Sequence, residues 1–175
     1  MIATACYNYI MKDVIILRGP VGVGKSTISK LIQQKLGLKW CVINVDELKY
    51  PIPLQPDHSN RPERAQIAHD TSNFYAREMH RHGYSVILEE MYKKPKNDSV
   101  VAYLNENNMS YLKVFLYAPV EATIERNNSR SKVIDEDEIR RHYAEIEAYN
   151  DDFVIDTTKF SAEEIADQII AKLSR

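Results

Sequence analysis

Cysteine is nearly absent from this chain. Cys6 and Cys41 are the only two in 175 residues, with no CxxC spacing, so neither a disulfide framework nor a thiolate zinc site follows. Cys41 sits in the apolar run Trp40-Cys41-Val42-Ile43, where a thiol usually serves as a small buried hydrophobe. No sign of charge dominates either. The 23 Lys and Arg against 25 Asp and Glu leave a formal charge of −2, which argues against a surface that coats nucleic acid but leaves room for a local basic patch. No apolar run approaches the ~20 residues a membrane helix needs. The segment Met1 to Lys12 has neither a basic leader nor an uninterrupted apolar core, and the expectation is a cytoplasmic protein. The five histidines, at 58, 69, 80, 82 and 142, show no zinc-ligand spacing and receive no catalytic role. No internal repeat or low-complexity tract is found.

What remains alternates between apolar runs and amphipathic stretches, the pattern of a parallel sheet covered on both faces. Asp13 to Arg18, Trp40 to Val45, Ser85 to Glu90, Tyr111 to Ala118 and Phe153 to Asp156 read as five strands. Between the first two, Ile28, Leu31, Ile32, Lys35 and Leu36 recur at helical spacing, and Gly37 supplies a stop. Further helices are expected over about Pro62 to His82, Asp98 to Asn107, Val120 to Asn128 and Glu136 to Tyr149. A last one is opened by a capping box of Ser161 and Glu164. The prolines of Pro51-Ile52-Pro53-Leu54-Gln55-Pro56 stiffen a connection and forbid a regular ladder. At this size one domain is expected over residues 13–175, with residues 1–12 as an extension outside it.

Glycine is scarce too, five in all, yet three fall in Gly19-Pro20-Val21-Gly22-Val23-Gly24-Lys25-Ser26-Thr27. This segment matches GxxxxGK[ST] directly after an expected strand and at the opening of an expected helix, as the motif requires. Average residue usage makes a chance match roughly one per hundred chains of this size before that context is counted. In such a loop successive backbone N–H groups turn toward phosphate oxygens, and the helix N-terminus adds its partial positive charge. Lys25 is expected to reach the β and γ phosphates of a nucleoside triphosphate. Ser26 is the expected hydroxyl ligand of magnesium.

Ligands of open α/β sheets sit beyond the carboxyl ends of the strands, so charged residues ending an apolar run carry weight. Asp46 ends Cys41-Val42-Ile43-Asn44-Val45. There it either takes the proton of a hydroxyl that attacks the γ phosphate or caps the segment Glu47-Leu48-Lys49, and one residue can do both. Glu89 and Glu90 end Ser85-Val86-Ile87-Leu88, where an acid commonly orders magnesium beside the P-loop. Adjacent strand residues point to opposite faces, so one of the two is expected there, with Glu89 favoured.

Arg126 and Arg130, four apart on a helix, repel each other unless a polyphosphate lies between them. The segment from Arg126 to about Asp135 is accordingly expected to close over the phosphates. Arg140 and Arg141 have Glu136 and Asp137 four residues earlier, and solvated ion pairs explain them. Arg61 and Arg64 either hold the acceptor or are solvated surface residues.

On these residues, the region from Asp13 to Leu173 resembles the small P-loop kinases, in particular the chloramphenicol-phosphotransferase-like and polynucleotide-kinase-like ATPases. The resemblance implies a P-loop NTPase fold, a five-stranded parallel sheet in the order 2-3-1-4-5 with helices on both faces and a small lid. It implies ATP and Mg2+ as cofactors and transfer of the γ-phosphoryl to a hydroxyl. In that group an Asp about twenty residues past the P-loop Lys is the base, and Asp46 stands at that distance from Lys25. Its arginine-bearing lid matches Arg126 and Arg130, and its adenine-side loop matches Asp156-Thr157-Thr158-Lys159. The chain departs from nucleoside monophosphate kinases, whose Asp-Gly-Phe-Pro-Arg-like run is replaced by Glu89-Glu90-Met91-Tyr92-Lys93. The guanine-reading Asn/Thr-Lys-x-Asp motif is absent, and the chain is too short for the helical lid domain of AAA+ machines. The expected acceptor is a small molecule or nucleoside-like alcohol; a 5'-hydroxyl nucleic-acid end is less favoured. The alternative class is an ATP-binding switch that hydrolyses slowly or not at all.

Overall fold

A computed structural model describes residues 13–128 and 133–173 of the chain. The proposed extension over residues 1–12, and Arg130 of the lid, lie outside the described residues. Five strands, β1 (Val14–Arg18), β2 (Trp40–Asn44), β3 (Ser85–Glu89), β4 (Tyr111–Tyr117) and β5 (Phe153–Asp156), form one sheet. Its order is β2-β3-β1-β4-β5 and every neighbouring pair is parallel. The central strand β1 is buried at all five positions, which is why it reads as a continuous apolar run rather than an alternation.

Among the described residues six helices connect and cover the strands: α1 (Lys25–Leu36), α2 (Arg61–Arg81), α3 (Lys94–Glu106), α4 (Val120–Asn128), α5 (Glu136–Ala144) and α6 (Ala162–Leu173), with one 3-10 turn at Glu47–Lys49. The pleat divides β1 between two cores. Ile15 and Leu17 face α1 and α6 through Ile28, Ile32, Ile165 and Ile169. Val14 and Ile16 face α2 and α3 through Ala68, Ala76, Val100 and Leu104. Burial of apolar surface on both faces makes the sheet a rigid floor whose strand ends all open to one side.

Several boundaries differ from the sequence expectation. Helix α3 begins at Lys94 rather than Asp98, because Pro95 fits the first turn, where its missing N–H costs nothing. Helix α5 stops at Ala144, five residues short of Tyr149. The segment that follows is held instead by a buried ion pair described below. Cys41 is half-buried, not core. The capping box of α6 forms as expected: the Glu164 N–H donates to Ser161 Oγ at 3.2 Å, and the Ser161 N–H to Glu164 Oε2 at 2.8 Å.

Candidate active site

The phosphate loop runs from the end of β1 into α1, and its glycines are there for space. Gly19 has φ 147°, and a Cβ on it would run into the Leu116 carbonyl oxygen of β4. Gly24, at φ 98°, stands in the left-handed region just before the first residue of α1, a conformation L side chains adopt at a cost. Lys25 Nζ donates to the Gly19 and Pro20 carbonyls at 2.8 and 2.9 Å. The ammonium is thereby folded over its own loop.

The adjacent glutamates part as the pleat requires. Glu89, almost fully buried, accepts from Ser26 Oγ on one oxygen and from Ser29 Oγ at 2.7 Å on the other. Burying a carboxylate is costly unless its oxygens are hydrogen-bonded, and two hydroxyls of α1 supply the partners. Glu90 points to the opposite face, away from Ser26. Its Oε2 lies 3.1 Å from His69 Nε2 and its Oε1 accepts from Lys49 Nζ at 3.3 Å. Of the two acids, Glu89 is the one beside the P-loop hydroxyl. Burial alone would push the Glu90 carboxyl up, but the His69 contact and the Lys49 ammonium outweigh it and leave the carboxyl below its ordinary range. Tyr92, fully buried and tilted against His69 with ring centroids 5.5 Å apart, has its phenol pushed well up, by burial first and then by the Glu90 charge.

Asp46 leaves the end of β2, beside β3, where Asn44 pairs with Glu89. Its side chain is 60% exposed and makes no capping hydrogen bond to the 3-10 turn that follows. The capping reading therefore does not hold for the side chain. Its Oδ1 accepts from Lys49 Nζ at 2.5 Å. Burial works against the charge on Lys49, yet Asp46, and after it Glu90, raise its pKa above the ordinary range.

Arg126 of α4 donates to Thr157 Oγ1 at 2.9 Å and to the Thr157 carbonyl at 3.0 Å, which joins α4 to the loop after β5. Thr158 in the same loop turns its hydroxyl to Asp156 at 2.7 Å. Arg64 donates to the Lys49 carbonyl at 2.7 Å and so ties the start of α2 to the turn after Asp46, whereas Arg61 is exposed. Arg140 pairs with Glu136 at 2.7 Å as the spacing implies, and Arg141 reaches Glu138 rather than Asp137.

Three residues escaped the sequence reading. Ser29 is one turn along from Ser26 on α1, and its helical offset was the available signal. His69 reads as an ordinary helix residue because its partner, Glu90, is 21 positions away. Arg18 closes the apolar run of β1 and by sequence alone reads only as a strand end. It is fully buried, ion-paired to the equally buried Asp152, and donates to the Glu147 carbonyl at 2.7 Å. Its guanidinium lies 4.8 Å from the Phe115 ring centroid and 4.1 Å from that of Tyr149. A charged residue directly before Gly19, inside an otherwise apolar strand, was the missed signal.

Among the described residues no group of three or more His, Cys, Asp or Glu side chains could hold a metal. Magnesium needs no such cage, since it is bound through one or two protein oxygens with substrate phosphates and water. The hard oxygens of Ser26 and Glu89 fit that role.

A glycine-rich P-loop, a hydroxyl and a buried acid at its mouth, and an exposed carboxylate just past the end of β2 make up a P-loop type of site. The family model described as an AAA domain matches residues 14–154, and the chain belongs to that family. It is homologous to P-loop kinases: it is 25% identical over 168 residues to the L-seryl-tRNA(Sec) kinase of Methanococcus maripaludis, covering 89% of this chain and 64% of the relative. The chain thus spans somewhat under two thirds of that enzyme's length. In structure it is similar to a gluconokinase from Sinorhizobium meliloti, with TM-score 0.69 and 17% identity over 95% of this chain and 93% of the other. It is also similar to the APS kinase of Mycobacterium tuberculosis in complex with AMPPNP and APS, with TM-score 0.66 and 17% identity over 94% and 99%. The five-stranded P-loop kinase fold expected from the sequence is the one observed. No helix among the described residues is long and apolar enough to cross a membrane.

Proposed function

We propose that the protein transfers the γ-phosphoryl of ATP to a hydroxyl of a small, nucleoside-like or sugar-like acceptor. One observation carries this reading: Ser26 at the start of α1 meets the buried Glu89, while Asp46, two residues past the end of the adjacent strand β2, holds an exposed carboxylate at the same edge of the sheet. The backbone of Gly19 to Thr27 cradles the triphosphate, and Lys25 swings from the Gly19 and Pro20 carbonyls to the β and γ phosphates. Magnesium, when held by Ser26 and Glu89, neutralises charge on the phosphates; Glu90, turned to His69 and Lys49, has no part in holding it. Asp46 takes the proton of the acceptor hydroxyl as that oxygen attacks the γ phosphorus. The bond from the γ phosphorus to the bridging oxygen breaks, ADP leaves, and the proton stays on Asp46 until solvent removes it.

Arg126, held by Thr157, is assigned the role of stabilising the transferring group, and Arg130 is proposed to join it from the lid. Thr157 and Thr158 border the base of ATP. Arg61 and Arg64 flank the acceptor side, Arg61 from solvent and Arg64 as the residue that sets the turn after Asp46. The absence of a membrane-spanning helix among the described residues and the scarcity of cysteine suit a cytoplasmic enzyme.

The test is a screen of sugars, sugar acids, nucleosides, aminoacylated tRNA and 5'-hydroxyl oligonucleotides for ATP-dependent phosphorylation with magnesium present. Transfer to one class identifies the acceptor. Slow ATP hydrolysis with no transfer to any of them would overturn the kinase reading in favour of an ATP-driven switch.

A further inference from the structure

Glu90 has no task in the reaction just described, although it is a carboxylate only 8% exposed at the carboxyl end of β3. Such a group is expensive to bury and is kept ionised by what surrounds it. Two cationic or polar partners reach it. His69 Nε2, from the buried face of α2, stands 3.1 Å from Oε2, and Lys49 Nζ stands 3.3 Å from Oε1. The same Lys49 nitrogen donates to Asp46 Oδ1 at 2.5 Å. A single chain of contacts, His69–Glu90–Lys49–Asp46, therefore runs from the core of the α2 face to the open edge of the cleft.

The outer end of that chain has little else to hold it. Asp46 is mostly exposed, stands before a one-turn 3-10 segment and makes no capping bond to it. Its carboxylate has Lys49 as its hydrogen-bonding and ion-pair partner among the described residues. A lone exposed aspartate would sample several rotamers, and a general base that wanders from its angle loses much of its effect. Lys49 is itself a flexible chain, and its second anchor is Glu90.

We propose that Glu90, seated by His69, is a positioning residue that acts through Lys49 to orient the Asp46 carboxylate toward the acceptor hydroxyl. The proposal rests on Asp46 being the base. Oδ1 is occupied by the lysine, which leaves Oδ2 for the proton. Glu90 touches neither substrate nor metal in this arrangement.

Single-turnover hydrolysis of ATP with magnesium tests it, water taking the place of the acceptor so that no acceptor need be known. Glu90→Gln is expected to slow hydrolysis by about 10- to 100-fold while the ATP dissociation constant from calorimetry stays the same. Lys49→Met should show the same loss, and Lys49→Arg, which keeps a cation, should recover most of the rate. In an Asp46→Asn background neither Glu90→Gln nor Lys49→Met should slow the reaction further, because they act through the residue already removed. Should Glu90→Gln not fold, Lys49→Met, a change at a partly exposed side chain, carries the same comparison. A slow Asp46→Asn variant beside wild-type rates in folded Glu90→Gln and Lys49→Met overturns the anchor alone. An additional loss in the Asp46→Asn background does so too. An Asp46→Asn variant that hydrolyses at the wild-type rate overturns the base assignment, and the anchor with it.

Discussion

Asp46 is where the chemistry of a single side chain can be tested apart from its role in folding. Its carboxylate makes no cap bond, so Asp46→Asn, nearly isosteric, is expected to leave the melting temperature close to the wild type. Phosphoryl transfer to the acceptor found by screening should fall by about 10²- to 10⁴-fold, the usual contribution of a general base. Rapid-quench measurement in a single turnover checks it, and a rate equal to the wild type would remove Asp46 from the chemistry. Glu90 offers a second test through acid stability. Burial raises its pKa, but His69 and Lys49 prevail and hold the carboxyl below its ordinary 4.5. A depressed carboxyl stabilises the fold fully above the unfolded value, and that stabilisation is lost as pH falls through the folded value. Melting midpoints between pH 6 and 3 should therefore drop more steeply for the wild type than for Glu90→Gln, with the difference confined to the region below about 4.5. Parallel curves would mean that the carboxylate is not specially held. The two acids show how far residue-level reading goes: alternation along a strand says that Glu89 and Glu90 part, and only the register of β3 against α1 and α2 says which goes where.

Among the elements, β1 carries an unexpected demand. Its last residue, Arg18, is fully buried with Asp152, so the strand that leads into the phosphate loop is tied to the segment between α5 and β5. Removing one member of a buried ion pair leaves the other charged and unpaired, at a cost of about 3–5 kcal/mol. Arg18→Ala should lose an amount toward the lower end of that range in urea unfolding, because Lys113 Nζ at 3.7 Å and the Tyr149 N–H at 2.7 Å still face Asp152, and adding Asp152→Asn should restore part of it. A loss under about 1 kcal/mol would show that Lys113 and water together satisfy Asp152 without Arg18. This tie also explains the early end of α5. The apolar-and-charged pattern through Tyr149 suggested more helix, but Tyr149 is drawn under the Arg18 guanidinium and Glu147 gives it a carbonyl. Helical continuation would take both away. At α3 the helix instead starts four residues before the expected Asp98, with Pro95 in its first turn.

At the scale of the whole molecule, ATP should act as a stabiliser because the cradle exists in the folded state alone. Ligand at 100 times its dissociation constant adds about 2.7 kcal/mol, so thermal melting should shift upward with ATP and magnesium. In Lys25→Ala the shift should largely vanish while the melting point without ligand stays near the wild type, since Lys25 contacts loop carbonyls rather than core. A full ATP-dependent shift in that variant would overturn the assignment of Gly19 to Thr27 as the phosphate cradle.

The P-loop, the strand-helix alternation and the strand-end acids were legible in the linear chain because each rests on near neighbours: a glycine spacing, a period of two or 3.6, a charge at the end of an apolar run. Fold class and the location of the cleft followed from them. The partners of Glu90, the burial of Arg18 and the contact of Arg126 with Thr157 join residues between 21 and 134 positions apart. No local period encodes such pairs. They come into being when the parallel sheet brings its strand ends together and excludes water from the space beneath them, which makes a charge without a partner too costly to leave there.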